Sequence, residues 1–453
     1  MNYEEFLKSK SFLLESSGFE ANEVDEHLYP FQRDIVKWAI RKGRAAIFAD
    51  CGLGKTIMQL EWANKVYLYT NKPVLILAPL AVCEQTKKEA YERLGLEVMV
   101  CESQDDVIDG INITNYEKID KFVANSFSGV VLDESSILKS FTGKVRTKII
   151  DNFARVPYKL ACTATPAPND YMEFGNHCEF LGIMSRTEML SMFFVHDSGE
   201  TSKWRLKGHA EDTFWEWMAT WAIVLDNPKS IGYDMGGYDL PPLNVHQIIV
   251  DGDEPITEKL TLTQRRNARK DSLELRCKAT ADLINSNDEQ WLVWCDLNDE
   301  SDELYKVIED SFAIKGSDKP QYKKEIMNDF SDGLIKCLIT KPKIAGFGMN
   351  WQQCNNMIFV GLSDSFEAYY QAVRRCWRFG QTKPVNVYII ISAREGAVLD
   401  NINRKEADAK AMQQKMIELT KNITSRELKS TVKLITPYNA TIPMIIPEWL
   451  EAR

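Results

Sequence analysis

The sequence has no Cys-x-x-Cys pair; its 10 cysteines are scattered along 453 residues. Structural zinc sites draw on clustered thiolates and imidazoles, so that class of fold is excluded. A disulfide framework is not expected either. Residues 1–10 are polar and acidic, with no apolar core of a secretory signal. Long hydrophobic runs are also missing. The longest, such as 74–79 and 387–391, fall far short of the roughly 20 apolar residues that span a bilayer. Basic charge is not in excess: 55 Lys and Arg stand against 65 Asp and Glu, for a net charge of −10 and a pI near 5.3. A wholly basic surface is excluded, and any polyanion must be met by a local groove. Low-complexity tracts and solenoid-spaced repeats are absent. The expectation is a reduced, cytoplasmic protein with no membrane partner.

What is present is ordinary globular composition, 44% hydrophobic and 26% charged. Short apolar runs at 46–49, 74–78, 98–101, 111–114, 130–132 and 159–163 alternate with segments of helical length, such as 57–69 and 84–94. Their hydrophobicity is continuous rather than alternating, which suits strands of a parallel sheet covered on both faces. A second series lies at 291–294, 312–314, 336–340, 356–360 and 385–391, with helices expected at 301–310, 321–330 and 366–377. The fold class is therefore α/β, with two parallel-sheet units. Between them Trp204, Trp215, Trp217 and Trp221 crowd a helical-looking stretch, and 232–242 is punctuated by Gly and Pro. Two readings of the tryptophans stand side by side, a small helical core or a base-stacking platform. The expected division is 1–170, a mainly helical Trp-rich insertion and linker at 171–245, 246–400, and a short helical tail at 401–453.

One segment carries chemistry outright. Ala49-Asp50-Cys51-Gly52-Leu53-Gly54-Lys55-Thr56 follows an apolar run and opens a helix. Glycines at 52 and 54 let backbone N–H groups curl around phosphate oxygens at a helix N-terminus. Lys55 is then placed to reach the β- and γ-phosphates, and the Thr56 hydroxyl to hold Mg²⁺. Ala49 stands where the generic motif has its first glycine. About eighty residues on, the run 130–132 ends in Asp133 and Glu134. Two acids after a strand, paired with a phosphate loop, suit metal binding by Asp133 and polarisation of the attacking water by Glu134.

With both motifs in place, the chain resembles superfamily-two helicases and, more closely, Swi/Snf-type DNA translocases. Leu28-Tyr29-Pro30-Phe31-Gln32 is similar to that family's opening motif, which implies adenine recognition by Gln32. Segments 78–80 and 113–116 match stretches that touch the nucleic-acid backbone. Thr163-Ala164-Thr165-Pro166, with Asn169 beyond, matches the motif that couples ATP state to the track. Gly346-Phe347-Gly348-Met349-Asn350 resembles motif V, and Gln371 to Gln381 fits Gln-x₃-Arg-x₂-Arg-x-Gly-Gln. On the expected helix, Arg375 and Arg378 lie three apart and share a face, and the resemblance makes them arginine fingers. Ser136 replaces the family's usual His, and Ala164 its usual Gly.

The resemblance covers 28–170 and 290–392, and its look is nearest to helicases of phages and prophages. It implies two RecA-like lobes that hydrolyse ATP with Mg²⁺ in the cleft between them. The ATP-binding set is then Gln32, Gly52, Gly54, Lys55, Thr56, Gly346 and Gln371. Lys55, Asp133, Glu134, Arg375 and Arg378 form the catalytic set, with Thr56 and Asp133 on the metal. The expected function is a nucleic-acid motor, with DNA as track, in the cytoplasm of a bacterial host. The alternative is an ATP-gated DNA-binding switch or sensor within a phage-defence or DNA-modification complex. Basic clusters at 87–88, 203–207, 265–270 (Arg265, Arg266, Arg269, Lys270) and 323–324 are candidate backbone contacts or plain solvated faces. The insertion and the tail are the candidate surfaces for a protein partner.

Overall fold

The structure, a computed structural model, describes residues 17–429 apart from 22, 141–142, 168–169, 198–199, 253–260, 346–348 and 364. Gly346 and Asn169 therefore lie outside the described residues. Six early strands are β1 (Arg44–Ala49), β2 (Val74–Ala78), β3 (Val98–Val100), β4 (Ile111–Asn115), β5 (Gly129–Asp133) and β6 (Tyr158–Cys162). β7 (Phe194–Asp197) and β8 (Glu200–Leu206) form an antiparallel hairpin, and β9 (Ala222–Leu225) follows. The first sheet runs β3-β4-β2-β5-β6-β1-β9, parallel throughout. β2, a continuous apolar run, and β4, which includes the polar Asn112, Thr114 and Asn115, are fully buried along their length, as in a parallel sheet covered on both faces. β5, β6 and β1 are neighbours, so the loops at their carboxyl ends converge on one place.

A helix at Pro30–Lys42 opens the lobe with proline at its start, and Gly43, at φ 75°, ends it. The next helix, Lys55–Thr70, is held by burial along Ile57–Ala63 rather than by one apolar stripe. These two cover one face of the sheet. The other face is covered by Phe174–Leu181, Glu211–Ala219 and neighbours.

The stretch 171–245 holds helices, the β7–β8 hairpin and β9, which sits beside β1 in the first sheet. Its tryptophans belong to the core of that lobe. Trp215 and Trp221 are buried at 0% and 1% exposure, and Trp204 and Trp217 pack against the same cluster as Leu75 and Val130. Trp215 meets Phe214, Tyr171 and Phe174 edge-on at centroid distances of 4.9, 5.3 and 6.2 Å. Of the two readings, the apolar core holds for Trp215 and Trp221; a ring buried this way has no face left for a base.

The second sheet contains β10 (Leu243–Ile249), β11 (Trp291–Cys295), β12 (Ser311–Ala313), β13 (Cys337–Thr340), β14 (Asn356–Val360) and β15 (Val385–Ile391). Their order is β10-β15-β14-β11-β13-β12, again parallel. A helix of 34 residues, Gly396–Lys429, then links the lobes. Val398, Leu399 and Ile402 lie in the core of the second lobe, Met416 and Ile417 in one core of the first, and Leu428 in the other. Near its end Lys42 pairs with Glu427 at 2.9 Å.

Truncating Trp215 to Ala removes the centre of the aromatic cluster. The expected loss of unfolding free energy is roughly 3–5 kcal/mol by urea denaturation. A loss below about 1 kcal/mol would contradict its packing.

Candidate nucleotide site between the lobes

β1 delivers the phosphate loop. Gly52 and Gly54 have φ of 88° and 78°, the left-handed region that glycine enters without penalty. A side chain at 54 would collide with the Gln32 amide, and a Cβ at 52 would lie 2.9 Å from the backbone nitrogen of Phe379 in the second lobe. Lys55 Nζ donates to the carbonyls of Ala49 at 2.8 Å and Asp50 at 3.2 Å. Gln32 donates from Nε2 to Leu53 O at 3.0 Å, while its Oε1 accepts from Tyr29 N at 2.9 Å. The helix that carries Gln32 is thereby tied to the loop.

β5 delivers the acids. Gln59, from the loop's own helix, donates to Asp133 Oδ1 at 2.8 Å. Glu134 adopts φ 62° and ψ 60°, costly for a residue with a side chain and found where a site demands it. Its carboxylate accepts from Thr163 at the end of β6 and from Ser136 Oγ at 3.0 Å. Burial pushes the pKa of both carboxyls up; Gln59 and Lys55 oppose this at Asp133, and Lys55 and Thr163 at Glu134. Ser135 Oγ lies 3.0 Å from Nε2 of the wholly buried His177.

The second lobe brings Arg375 and Arg378, but not from a helix face. The helix expected over 366–377 spans Phe366–Val373, and Arg374 closes it. Hydrogen bonds from Arg375 N to Ala372 O and from Cys376 N to Val373 O wind the chain into tight turns before Gly380, at φ 91°. Arg375 is buried and donates to Gln371 O, Met349 O and Gln371 Oε1 at 3.0, 3.0 and 3.1 Å. Arg378 Nη1 reaches Met349 O at 3.5 Å. Burial first and Arg375 second pull the Arg378 pKa down to about 10. Among the described residues no carboxylate pairs with either guanidinium.

A cleft of about 610 Å³ gathers Gln32, Gly52, Gly54, Lys55, Thr56, Asp133, Glu134, Gln371, Arg375 and Arg378. Lys55, Arg375 and Arg378 line it beside the glycine loop at a helix N-terminus, which fits a polyphosphate, and Glu89, Glu92, Asp133 and Glu134 line it as well. Aromatic rings of Tyr29, Tyr238 and Phe379 line the same space, apolar surface suited to a base. No cluster of three or more metal-ligating side chains occurs among the described residues. A divalent ion on Thr56 and Asp133 would complete its shell with phosphate and water oxygens, the habit of Mg²⁺.

Sequence reasoning missed the contacts that dock the lobes. Arg374 pairs with Asp50 of the phosphate loop, and Tyr370 donates its hydroxyl to the same carboxylate. Glu367 accepts from Ser136 at 2.9 Å and pairs with Lys139. Ser136, where the family's His would stand, thus spans the lobes. Two expected nucleic-acid contacts are otherwise engaged. Ile113 to Tyr116 are buried, with the Tyr116 hydroxyl on Asp133 O at 2.7 Å. Arg269 is bound by Asp296 and Glu395, each at 2.8 Å, and by Leu362 O. Lys87 and Lys88 remain exposed.

Residues 31–196 match the SNF2-related domain family, and residues 275–380 match the helicase conserved C-terminal domain family. One family model thus matches within each lobe, and neither spans half of the chain. The chain is 24% identical over 438 residues to the SWI/SNF-related matrix-associated actin-dependent regulator of chromatin subfamily A-like protein 1 of Xenopus laevis; the match covers 86% of this chain and 44% of that protein. It is 32% identical over 99 residues to the bifunctional helicase and thymine dioxygenase JBP2 of Leishmania braziliensis, covering 21% of this chain and 9% of that one. The Sulfolobus solfataricus SWI2/SNF2 ATPase core in complex with dsDNA aligns over 93% of this chain and 100% of that chain, at 17% identity and a TM-score of 0.42. The chain spans less than half the length of these curated relatives.

His177 yields a prediction on stability. Burial lowers its pKa from 6.5 to about 4. Between those values the unfolded chain binds the proton and the folded one does not, so stability falls as pH drops from 6.5 towards 4. The expected loss from this group is up to about 3 kcal/mol. Urea melts across that range should be flatter for His177→Gln; identical slopes would refute the assignment.

Proposed function

We propose that the chain is an ATP-driven motor that moves on DNA. One observation carries this reading: a single cleft collects the phosphate loop and acidic pair of one parallel-sheet lobe and the arginine pair of the other. In a triphosphate complex, Lys55 and the loop amides bind the phosphates, while Gln32 and the surrounding rings receive adenine. Thr56 and Asp133 would hold Mg²⁺, which supplies charge neutralisation at the phosphates. Glu134 polarises the attacking water, and Arg375 and Arg378 stabilise the charge that develops on the transferred group. DNA as the track is supported by the match to the SNF2-related domain family and by the relatives' names. No helix among the described residues is long and apolar enough to cross a membrane. We place the protein in a bacterial cytoplasm, and its phage-like origin rests on the look of the motifs.

The helix Gly396–Lys429, rooted in both lobes, favours a second reading, an ATP-gated switch that turns over slowly. Comparing a single turnover with the steady-state rate separates the two, because a switch completes its first cycle and then turns over slowly.

Hydrolysis should rise when duplex DNA is added, and equal rates with and without it would defeat the motor reading. Arg378→Ala is expected to lower the stimulated rate by roughly 10³-fold, and Glu134→Gln to abolish it while nucleotide still binds. An Arg378→Ala protein as fast as its parent would remove the finger from the mechanism.

A further inference from the structure

An aspartate inside a phosphate-binding loop opposes the loop's purpose. Asp50 precedes Cys51, whose atoms line the cleft, and only 7% of its surface is exposed. Water screens so little-exposed a carboxylate only weakly, and its charge opposes that of an anion held on the same loop. Asp50 Oδ1 accepts from Cys51 N at 2.6 Å, which anchors the carboxylate to the loop itself. The groups that answer its charge both come from the second lobe, the Arg374 guanidinium on Oδ2 and the Tyr370 hydroxyl on Oδ1.

Arg374 is held for this contact. Its guanidinium sits 5.3 Å from the ring centre of Tyr370 and 4.5 Å from that of Trp377. Trp377 in turn donates from Nε1 to Pro241 O at 2.7 Å, in the segment between β9 and β10. Arg374 does not line the cleft, whereas Arg375 and Arg378 do. Three arginines within five residues therefore divide into two that face the cleft and one that faces a loop carboxylate.

We propose that Arg374 is a positioning residue that makes the phosphate loop competent for a polyphosphate only while the second lobe is docked, by cancelling the charge of Asp50. The inference rests on reading the cleft as a nucleoside-triphosphate site. With the lobes apart, Asp50 stands uncompensated beside the loop amides and weakens the phosphate site. With them docked, Lys55, Arg375 and Arg378 act on the ligand without opposition from Asp50. One charge pair thus links nucleotide affinity to lobe position, and by reciprocity nucleotide favours docking.

The test is a titration of the full chain with Mg²⁺ and a fluorescent, non-hydrolysed ATP analogue (mant-AMP-PNP). It compares the parent with Arg374→Met, Asp50→Asn and the double variant, with melting curves to verify folding. Arg374→Met should weaken binding by roughly tenfold or more, the effect of one poorly screened charge. Adding Asp50→Asn to that background should recover most of the loss, which a packing role for Arg374 would not produce. Asp50→Asn alone, which frees Arg374 to act as a further cation, should bind more tightly than the parent. Should Arg374→Met not fold, the other two variants still decide. Parent-like affinity of Arg374→Met, a double variant as weak as Arg374→Met, or weaker binding by Asp50→Asn would overturn the proposal. A parent that binds no analogue would remove the site reading itself.

Discussion

Positive charge without a directly paired carboxylate is the constraint around which the phosphate end of the cleft is organised. Lys55, Arg375 and Arg378 direct their donors to carbonyl and amide oxygens, and none has a carboxylate partner among the described residues. Burying cations in this way is unfavourable, and carbonyl dipoles offset only part of the cost. The two cores of the first lobe and those of the second supply the stability that tolerates it. An anion entering the cleft therefore meets electrostatic attraction already in place rather than groups that must first be gathered. Asp133 and Glu134 face the same space, and burial raises the pKa of both carboxyls.

Docking of the lobes is assigned to other residues. In the structure Arg374 and Glu367 make the inter-lobe contacts, while Arg375 and Arg378 remain bonded within their own lobe. This separation matters physically. A ligand shifts an equilibrium between lobe positions only through contacts that differ between them. Guanidinium groups spent on docking would have nothing left to give a phosphate. The helix Gly396–Lys429 adds a third link that avoids the cleft altogether, because its apolar side chains are shared among three cores.

Much of this was legible in the sequence for one reason: a covered parallel strand is a continuous apolar run. All six expected strands of the first series and all five of the second are present, within a few residues of their expected ends. β10 was missed because Leu243–Ile249 mixes polar residues into a half-exposed edge strand, and β9 because it is only four residues long and lies between a Trp-rich helix and a turn. The helix end at Val373 had no local signal, since no breaker intervenes before Gly380. Phosphate loop and acids carry their chemistry in adjacent residues and could be read directly. The Asp50–Arg374 pair joins residues 324 apart. Both charges were visible, and only the fold brings them together. Arg269 shows the reverse, a cluster member that tertiary structure uses for Asp296 and Glu395.

Ser136 sharpens what docking means for the acid pair. Its hydroxyl lies 3.0 Å from Glu134 and 2.9 Å from Glu367, yet it has one proton to donate. The two carboxylates compete for it across the lobe boundary. Lys139 answers the other oxygen of Glu367, and Thr163 donates to Glu134, so neither acid is left bare whichever way the hydroxyl turns. A His at this position would fill the gap with a ring and could carry a charge of its own. Serine makes the link short, neutral and reversible by a single bond rotation. Glu134 holds its left-handed backbone at the junction of these contacts, so the geometry of the acid is fixed by β5, by β6 and by the second lobe together.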